Sequence, residues 1–271
     1  MTSSNSNVDT TAAPCHGDEM DGASPAIQNN KYGFHAADTK ARAQQPALQE
    51  DPGRLSELII SKALQQGADQ AGVCKFDKSW LYNPHSLDKY GATVKFSSVI
   101  VAIIAMDAEF FRAPTSPAVL EETMRGYDRM KSVAVKLGDH IASLGYNALS
   151  SGNDTSASIP PAIDAGLGTL GRNGLLINEQ FGPCLRICKV FTDMPLKVGA
   201  AKRPLLADIC RNCSICAAEC PANAIEENGA SPAGDVWLID KKSCGAYWNA
   251  TKRQCAACIS ECPATWRNRR T

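Results

Sequence analysis

The hydrophobic residues between positions 54 and 145 follow the spacing of two amphipathic helices and one buried strand. The first helical pattern ends at Gly67, and its apolar positions are Leu55, Leu58, Ile59 and Ala63. The second ends at Gly145, and its apolar positions are Met130, Val133, Ala134, Leu137, Ile141 and Leu144. Residues three or four apart share one face of a helix, so each pattern predicts a helix packed on a core. Residues 97–105, SSVIVAIIA, are rich in β-branched side chains and predict a strand buried on both faces.

Helical and strand-like patterns alternate as far as about residue 200, which predicts a mixed α/β domain over residues 53–200. Residues 1–52 are rich in small and polar side chains with little periodicity, so we expect a disordered N-terminal arm. A basic stretch ending at Pro204 separates the α/β domain from a cysteine-rich domain over residues 201–271. The sequence therefore predicts an arm followed by two domains.

Charge and hydropathy exclude some partners of this 271-residue chain. Its 28 Lys and Arg residues equal its 28 Asp and Glu residues, and this balance argues against nucleic acid as a partner. No apolar run is long enough to predict a transmembrane segment. Residues 1–22 contain neither a positive charge nor an apolar core, so we expect no secretory signal and a cytoplasmic location.

The chain has twelve cysteines, which indicate that it binds metal. In a reducing compartment, thiols favour metal ligation over disulfides. Eight of them form two motifs near the end of the chain. The first motif, C-x2-C-x2-C-x3-C-P, comprises Cys210, Cys213, Cys216 and Cys220. The second motif comprises Cys244, Cys255, Cys258 and Cys262, and a proline again follows the last cysteine. The other four cysteines are Cys15, Cys74, Cys184 and Cys188.

The spacing of the first motif is that of bacterial ferredoxins, in which three cysteines bind one cluster and the fourth binds another. The second motif also ends in C-x2-C-x3-C-P, but ten residues separate Cys244 from Cys255, a departure from the compact ferredoxin spacing. We therefore predict two [4Fe-4S] clusters. The ligands of the first are Cys210, Cys213, Cys216 and Cys262, and those of the second are Cys220, Cys244, Cys255 and Cys258. Paired C-x2-C motifs also suit zinc, but two C-x3-C-P endings favour iron–sulfur clusters.

A glycine-rich string precedes the cysteine motifs. Gly166, Gly168 and Gly171 match G-x-G-x-x-G, which binds dinucleotide phosphates when it follows a strand and opens a helix. The residues before it, PPAIDA, are a poor strand, so this interpretation is disfavoured.

The same region carries a resemblance to a known family. The strings AIDAGLGTLGRNGLLINEQFGP and KVFTDMPL, with GADQAGVCKFD and LGYNAL upstream, resemble the corrinoid-dependent reductive dehalogenases over roughly residues 55–266. The resemblance implies an α/β (α+β) fold, in which a nitroreductase-like corrinoid-binding core precedes a ferredoxin-like domain with two [4Fe-4S] clusters. It also implies a corrinoid (cobalamin) cofactor that is bound without a histidine ligand.

The resemblance implies that Tyr127, Asn153 and Arg186 are catalytic residues facing the substrate. It also implies a set of cofactor-binding residues, which are Gly166, Gly168, Gly171, Arg172 and Asn173. A tyrosine hydroxyl, with an ordinary pKa of about 10, can donate a proton at neutral pH, and a permanently charged guanidinium stabilises the resulting phenolate. Taken alone, Tyr127 also fits a half-exposed structural tyrosine, and Arg186 also fits a surface arginine.

Together these inferences predict an oxidoreductase that removes halide reductively from a small organohalide, with electrons relayed by two clusters. Residues 241–271 contain seven basic residues and one acidic residue. Because this segment is positively charged, we expect an acidic electron donor of the ferredoxin or flavodoxin type. Two alternatives remain open. A non-catalytic electron carrier would keep the clusters without needing Tyr127. An epoxyqueuosine reductase-like corrinoid enzyme would act on tRNA, which a net charge of zero disfavours.

Overall fold

The computed structural model describes residues 40–41, 43, 45–82, 95–153, 155–199, 210–230 and 237–267. Most of the predicted N-terminal arm, residues 1–39, lies outside the described residues. The described end of that segment contacts the domain, because the Leu48 amide donates to the Leu144 carbonyl at 2.9 Å. The Leu48 carbonyl in turn accepts from the Tyr146 hydroxyl at 2.6 Å. The domain boundary at residue 52 stays a prediction.

Nine strands lie within the described ranges. They are β1 (Lys40–Ala41), β2 (Gln70–Lys75), β3 (Ser98–Ala105), β4 (Ala148–Ser151), β5 (Thr169–Leu170), β6 (Leu176–Ile177), β7 (Leu185–Thr192), β8 (Ile225–Ala230) and β9 (Trp237–Ile239). Five of them form one sheet in the order β1-β4-β7-β3-β2, and every neighbouring pair is antiparallel. The strands β5 and β6 form a separate hairpin, as do β8 and β9.

Seven α-helices have both ends within the same ranges, and residues 210–212 are also helical. They are α1 (Pro52–Gln65), α2 (Pro117–Ser143), α3 (Ile159–Asp164), α4 (Ile215–Ala218), α5 (Lys241–Ala250), α6 (Ala257–Ser260) and α7 (Pro263–Trp266). Short 3-10 helices cover Lys78–Trp80 and Ala108–Phe111.

The two helices and the strand that the apolar spacing predicts are confirmed. Helix α1 starts after Asp51, whose carboxylate caps the amide of Gly53 at 2.8 Å. Both predicted helix ends carry a glycine with positive φ, 105° at Gly67 and 88° at Gly145, a conformation that glycine adopts without strain. Strand β3 is buried over nearly its whole length because β2 and β7 flank it and helices cover the sheet.

Hydrophobic side chains cover both faces of the five-stranded sheet. On one face, α1 and α2 pack on residues such as Ile100 and Val190. On the other face, α3 and the β5–β6 hairpin pack on residues such as Val101 and Phe191. Successive strand residues point to opposite faces, so each long strand contributes to both cores. The chain therefore has a mixed α/β fold.

The cysteine-rich region packs against the α/β domain through backbone contacts. The Ala256 amide donates to the Pro114 carbonyl at 2.8 Å, and Cys255 forms an isolated β-bridge with Thr115. These contacts place the second cysteine motif beside the start of α2. Within the described ranges, no helix combines the length and the apolar character that crossing a membrane requires.

Candidate functional site

The three predicted catalytic side chains come together at one end of the sheet. Tyr127 lies in α2, Asn153 follows β4, and Arg186 lies near the start of β7. The Asn153 amide nitrogen Nδ2 donates to the Tyr127 hydroxyl at 3.4 Å. The Arg186 guanidinium carbon lies 4.5 Å from the centre of the Tyr127 ring. The tertiary fold thus joins three residues that are far apart in the chain.

Helix α2 and strand β7 approach closely at this site because Gly126 has no side chain. A Cβ atom at Gly126 would lie 3.2 Å from Cγ of Arg186 and 3.2 Å from Cγ of Met106. Contacts this short force the neighbouring side chains to move in a close-packed interior. The glycine directly before Tyr127 therefore lets Arg186 reach the tyrosine ring.

A cavity of about 100 Å³ lies beside the three predicted catalytic side chains, and Tyr127, Asn153 and Arg186 line it. Its wall also includes side chains from the cysteine-rich region, which are Trp248, Arg253, Cys255, Ala256 and Ile259. A predicted proton donor and a predicted cluster ligand, Cys255, therefore border the same space.

Arg186 and Arg253 both line the cavity with a positive charge, and Arg186 is the one that contacts Tyr127. Its guanidinium lies over the face of the Tyr127 ring, which is the geometry of a cation–π contact. The Arg186 Nε atom is buried and has no hydrogen-bond partner within the described ranges. The Arg186 guanidinium therefore contacts the ring that carries the hydroxyl of the predicted proton donor.

Sequence reasoning missed two side chains of this site, Ser158 and Lys189. The Ser158 hydroxyl donates to Asn153 Oδ1 at 3.2 Å, and Lys189 Nζ donates to Ser158 Oγ at 2.7 Å. Lys189 has no exposed surface, although it belongs to strand β7. A lysine inside the apolar run LRICKVFT was the available signal, because a buried ammonium group requires polar partners.

The thiols predicted to bind the first cluster lie close together. Burial, and then the negative charges of Cys262, Cys210 and Cys213, raise the pKa of the Cys216 thiol to about 12. Burial also raises the pKa of Cys262 to about 11, and the charges of Cys210 and Cys213 add to this shift. These mutual effects connect the four residues of the first predicted set, which come from both motifs.

The thiols predicted to bind the second cluster form a neighbouring group. Burial raises the pKa of Cys258 well above its ordinary value, and the charges of nearby thiols raise it further. These thiols are Cys244, Cys216, Cys255 and Cys220. Three of them belong to the second predicted set, whereas Cys216 belongs to the first. The two groups of thiols therefore adjoin each other.

This set of donors suits iron–sulfur clusters. Buried thiols that repel each other as thiolates need a positively charged partner, which iron supplies in a cubane. No group of three or more His, Cys, Asp or Glu side chains in the described ranges is arranged to hold a single metal ion. The assignment of the eight cysteines to two [4Fe-4S] clusters stays a prediction.

Known proteins with similar sequences include several reductive dehalogenases. No family model matches the sequence. A tetrachloroethene reductive dehalogenase of Desulfitobacterium hafniense is 37% identical over 211 residues, covering 72% of this chain and 36% of that protein. The tetrachloroethene reductive dehalogenase of Sulfurospirillum multivorans is 29% identical over 258 residues, covering 79% of this chain and 51% of that protein.

Solved structures agree with this relationship. A catabolic reductive dehalogenase in complex with 3-bromo-4-hydroxybenzoic acid superposes with a TM-score of 0.70 and 26% identity. The match covers 84% of this chain and 34% of that one. The chain is a homologue of the reductive dehalogenases. It spans about a third to a half of the length of these curated relatives.

Epoxyqueuosine reductases share the fold of this dehalogenase homologue. An epoxyqueuosine reductase bound to a tRNA stem loop superposes with a TM-score of 0.54 at 14% identity, over 78% of this chain. Identity at this level shows a common fold and carries no argument about substrate.

In this chain, Arg172 and Asn173 contact the loops that carry the motif cysteines. The Arg172 guanidinium donates to a set of backbone carbonyls, which belong to Cys210, Arg211, Cys213, Glu226 and Glu227. The Asn173 amide donates to the Cys258 carbonyl at 3.1 Å. Both residues were predicted to bind a cofactor, and the structure places them beside the predicted cluster ligands. Their contact with a corrinoid stays a prediction.

The three predicted glycines lie at the turns around the β5–β6 hairpin. A Cβ at Gly168 would lie 2.6 Å from the Ile177 carbonyl oxygen, and a Cβ at Gly171 would lie 2.6 Å from Ile177 Cγ1. Helix α3 precedes the string and β5 lies within it, so it does not have the strand–turn–helix context of a dinucleotide site. Gly166 and Gly168 also line a separate cavity of about 880 Å³.

The described residues around Tyr127 do not enclose a corrin macrocycle. Cofactor sites usually have volumes of about 300–1,000 Å³. The cavity of about 100 Å³ is smaller and suits a small substrate. The described residues therefore bring Tyr127, Asn153 and Arg186 to one small cavity, and their roles as catalytic residues stay a prediction.

Three of the remaining cysteines are buried parts of the fold. Burial raises the pKa of the Cys74 thiol to about 12, and that of the Cys188 thiol to about 12 as well. Cys184 is also buried, and its Sγ lies 3.6 Å from the Met106 carbonyl oxygen. Their raised pKa values make Cys74 and Cys188 poor nucleophiles and poor ligands at neutral pH. Cys15 lies outside the described residues.

Proposed function

We propose that the protein is a reductive dehalogenase that replaces a halogen of a small organohalide by hydrogen. The overall reaction consumes two electrons and one proton, and it releases one halide ion for each carbon–hydrogen bond formed. The observation that carries the proposal is the shared cavity, which Tyr127 and Arg186 border together with Cys255. A single space beside both a proton donor and a cluster ligand supports a coupled transfer of electrons and protons.

Tyr127 is the proton donor in this proposal. Its O–H bond breaks as the new C–H bond forms on the carbon from which halide departs. The Arg186 cation over the ring stabilises the phenolate left behind. The amide of Asn153 donates to the phenolic oxygen and holds it in place. Solvent then reprotonates the phenolate for the next turnover.

The two proposed [4Fe-4S] clusters relay the electrons singly. Their ligands are the eight motif cysteines, with Cys255 next to the substrate cavity. A ferredoxin or flavodoxin-type protein is the proposed donor, because basic side chains such as Lys241 and Lys242 lie near the second motif. A cytoplasmic location is part of the proposal.

A corrinoid is the proposed second cofactor. One solved reductive dehalogenase, with a TM-score of 0.68 and 25% identity to this chain, is described as suggesting a mechanism for B12-dependent dehalogenation. When bound, a corrinoid supplies a strongly reducing cobalt centre for the carbon–halogen bond. Because the described residues enclose about 100 Å³, corrinoid binding requires a direct test.

Anaerobic reconstitution with iron, sulfide and cobalamin provides that test. Eight ligands in two clusters predict about eight iron atoms per chain, and the proposal predicts about one cobalt. The loaded protein is then supplied with a low-potential electron donor and either tetrachloroethene or 3-bromo-4-hydroxybenzoic acid. Release of chloride or bromide supports the proposal.

The same measurement distinguishes the enzyme from an electron carrier. The small enclosed volume beside Tyr127 favours the carrier as the second candidate. Eight iron atoms, reversible reduction and no cobalt retention would identify a carrier and overturn the proposed dehalogenase. A Tyr127→Phe variant is the matched control, because loss of a phenol hydroxyl leaves electron transfer through the clusters unaffected.

A further inference from the structure

A buried chain of hydrogen bonds runs from Lys189 to the catalytic tyrosine. Lys189 Nζ lies 2.7 Å from Ser158 Oγ, and it also lies 2.9 Å from the Ser156 carbonyl oxygen. Ser158 Oγ lies 3.2 Å from Asn153 Oδ1, and Asn153 Nδ2 lies 3.4 Å from the Tyr127 hydroxyl. Both Lys189 and Ser158 are buried, at 0% and 4% exposure. This chain of hydrogen bonds therefore lies within the protein and ends at the cavity.

The ammonium group of Lys189 determines the direction of every hydrogen bond between Lys189 and Tyr127. A lysine ammonium group has three donors and no acceptor, so Ser158 Oγ accepts from Lys189. The Ser158 hydrogen is then left to donate, and Asn153 Oδ1 is its acceptor. With its oxygen on Ser158, the Asn153 amide turns its nitrogen toward the Tyr127 oxygen.

The reversed orientation of the Asn153 amide satisfies fewer groups. Ser158 Oγ would then accept from both Lys189 and Asn153, and its own hydrogen would lose the acceptor it has in the described structure. The Tyr127 hydroxyl would also donate to Asn153 instead of to the cavity. Amide orientations are assigned from such networks, and this network favours a single assignment.

We propose that Lys189 and Ser158 are positioning residues that fix the Asn153 amide, so that the Tyr127 hydroxyl accepts a hydrogen bond and keeps its proton for the substrate. The proposal rests on the proposed role of Tyr127 as proton donor. Arg186 and Lys189 lie in the same strand but on opposite faces of the sheet, because they are three residues apart. Tyr127 is thus supported from both faces.

The arrangement also favours the product of proton transfer. When the Tyr127 O–H bond breaks, the pair of electrons stays on the phenolic oxygen and the proton forms the C–H bond of the product. The oxygen keeps the hydrogen bond from Asn153, which strengthens because its acceptor is now charged. A tyrosine that donated to Asn153 would first have to break that bond.

Ser158→Ala is the central variant of the test, because it removes the link to Asn153 while Lys189 keeps its backbone acceptors. Ser158→Thr retains the hydroxyl and is the conservative counterpart. Ser151→Ala is the matched control, since Ser151 is buried in β4 and its hydroxyl lies 3.4 Å from the adjacent Gly152 carbonyl oxygen.

The first readout needs no turnover. The C–O stretch of a tyrosine labelled with 13C at Cζ responds to whether its hydroxyl donates or accepts. The chain has six tyrosines, so the band of Tyr127 is assigned by its loss in Tyr127→Phe. We expect Ser158→Ala to shift the Tyr127 band in the cluster-loaded protein, whereas Ser158→Thr and Ser151→Ala leave it in place. An unshifted band in folded Ser158→Ala would overturn the proposal.

The second readout is the kinetics of dehalogenation. We expect kcat of Ser158→Ala to fall about tenfold, as for one lost hydrogen bond of average strength, while KM changes little. The solvent deuterium isotope effect on kcat should increase because proton donation becomes slower. An unchanged kcat would also overturn the proposal. A shifted band in a protein that dehalogenates no substrate would support the network and refute the proposed function.

Discussion

Replacing Arg172 with methionine tests whether one buried arginine holds the predicted cluster-binding loops in place. Arg172 is 6% exposed, and its guanidinium donates to five backbone carbonyls, three in the first cysteine motif and two in β8. The shortest of these bonds are 2.6 Å to Cys213 and 2.7 Å to Glu227. Methionine keeps an unbranched apolar chain in place of the arginine stem, so the variant removes the donors together with the volume of the guanidinium.

The expected effect of this substitution is large. A hydrogen bond to a charged group contributes about 1.5–3 kcal/mol, and bonds in one network do not add fully. Counting the two shortest bonds and treating the longer ones as replaceable by water, we expect the free energy of unfolding to fall by about 3–5 kcal/mol. The Arg172 charge also lowers the pKa of Cys210 and Cys216 against the effect of burial, so its loss weakens thiolate binding to iron.

The assay combines iron analysis with denaturant unfolding of the anaerobically loaded protein. We expect Arg172→Met to retain about four iron atoms per chain instead of about eight, because the first predicted cluster is lost. Arg112→Met is the control, since Arg112 is largely exposed and pairs with Glu109 alongside it. If Arg172→Met keeps its full iron content and unfolds within about 0.5 kcal/mol of the parent protein, the reasoning is refuted.

Four other predictions follow from the site and the core. Tyr127→Phe should abolish halide release and leave iron content unchanged, and retained turnover would remove Tyr127 from the mechanism. Cys220→Ala should lose the second cluster, as iron analysis and electron paramagnetic resonance would detect. His140 has a pKa lowered by burial and by the charge of Lys62, so its contribution to stability is present above pH about 6.5 and is lost below it. Denaturant unfolding should show less acid destabilisation in His140→Gln. Cys188 should resist alkylation in the folded protein, and peptide mapping that finds it modified would contradict its burial.

Sequence patterns predicted the elements whose signals are local. The helix that ends at Gly67 and the strand over residues 97–105 were predictable because burial of one face or of two faces imposes a spacing on apolar residues. The end of α2 was predictable because a glycine at Gly145 tolerates positive φ. The order of the strands in the sheet was not predictable in this way, since pairing depends on residues far apart in the chain.

The residues of the candidate site also fall into two groups, those that sequence similarity identified and those that only the tertiary structure revealed. The resemblance to reductive dehalogenases identified Tyr127, Asn153 and Arg186, which the fold brings together. It did not identify Ser158 and Lys189, whose roles come from contacts between β7 and the loop after β4. A lysine in a strand is usually a solvated side chain, and only the packing around Lys189 removes that option.

By itself, the sequence determined that eight cysteines have the spacing of two clusters, because ligand spacing is a property of short segments. It also determined where the strongest helices and the central strand lie. Only the tertiary structure decided that Arg172 binds the cysteine loops and that Cys255 shares a cavity with Tyr127. The physical reason is that hydrogen-bond partners and cavity walls are selected by long-range packing, and neighbours in the chain do not encode that packing.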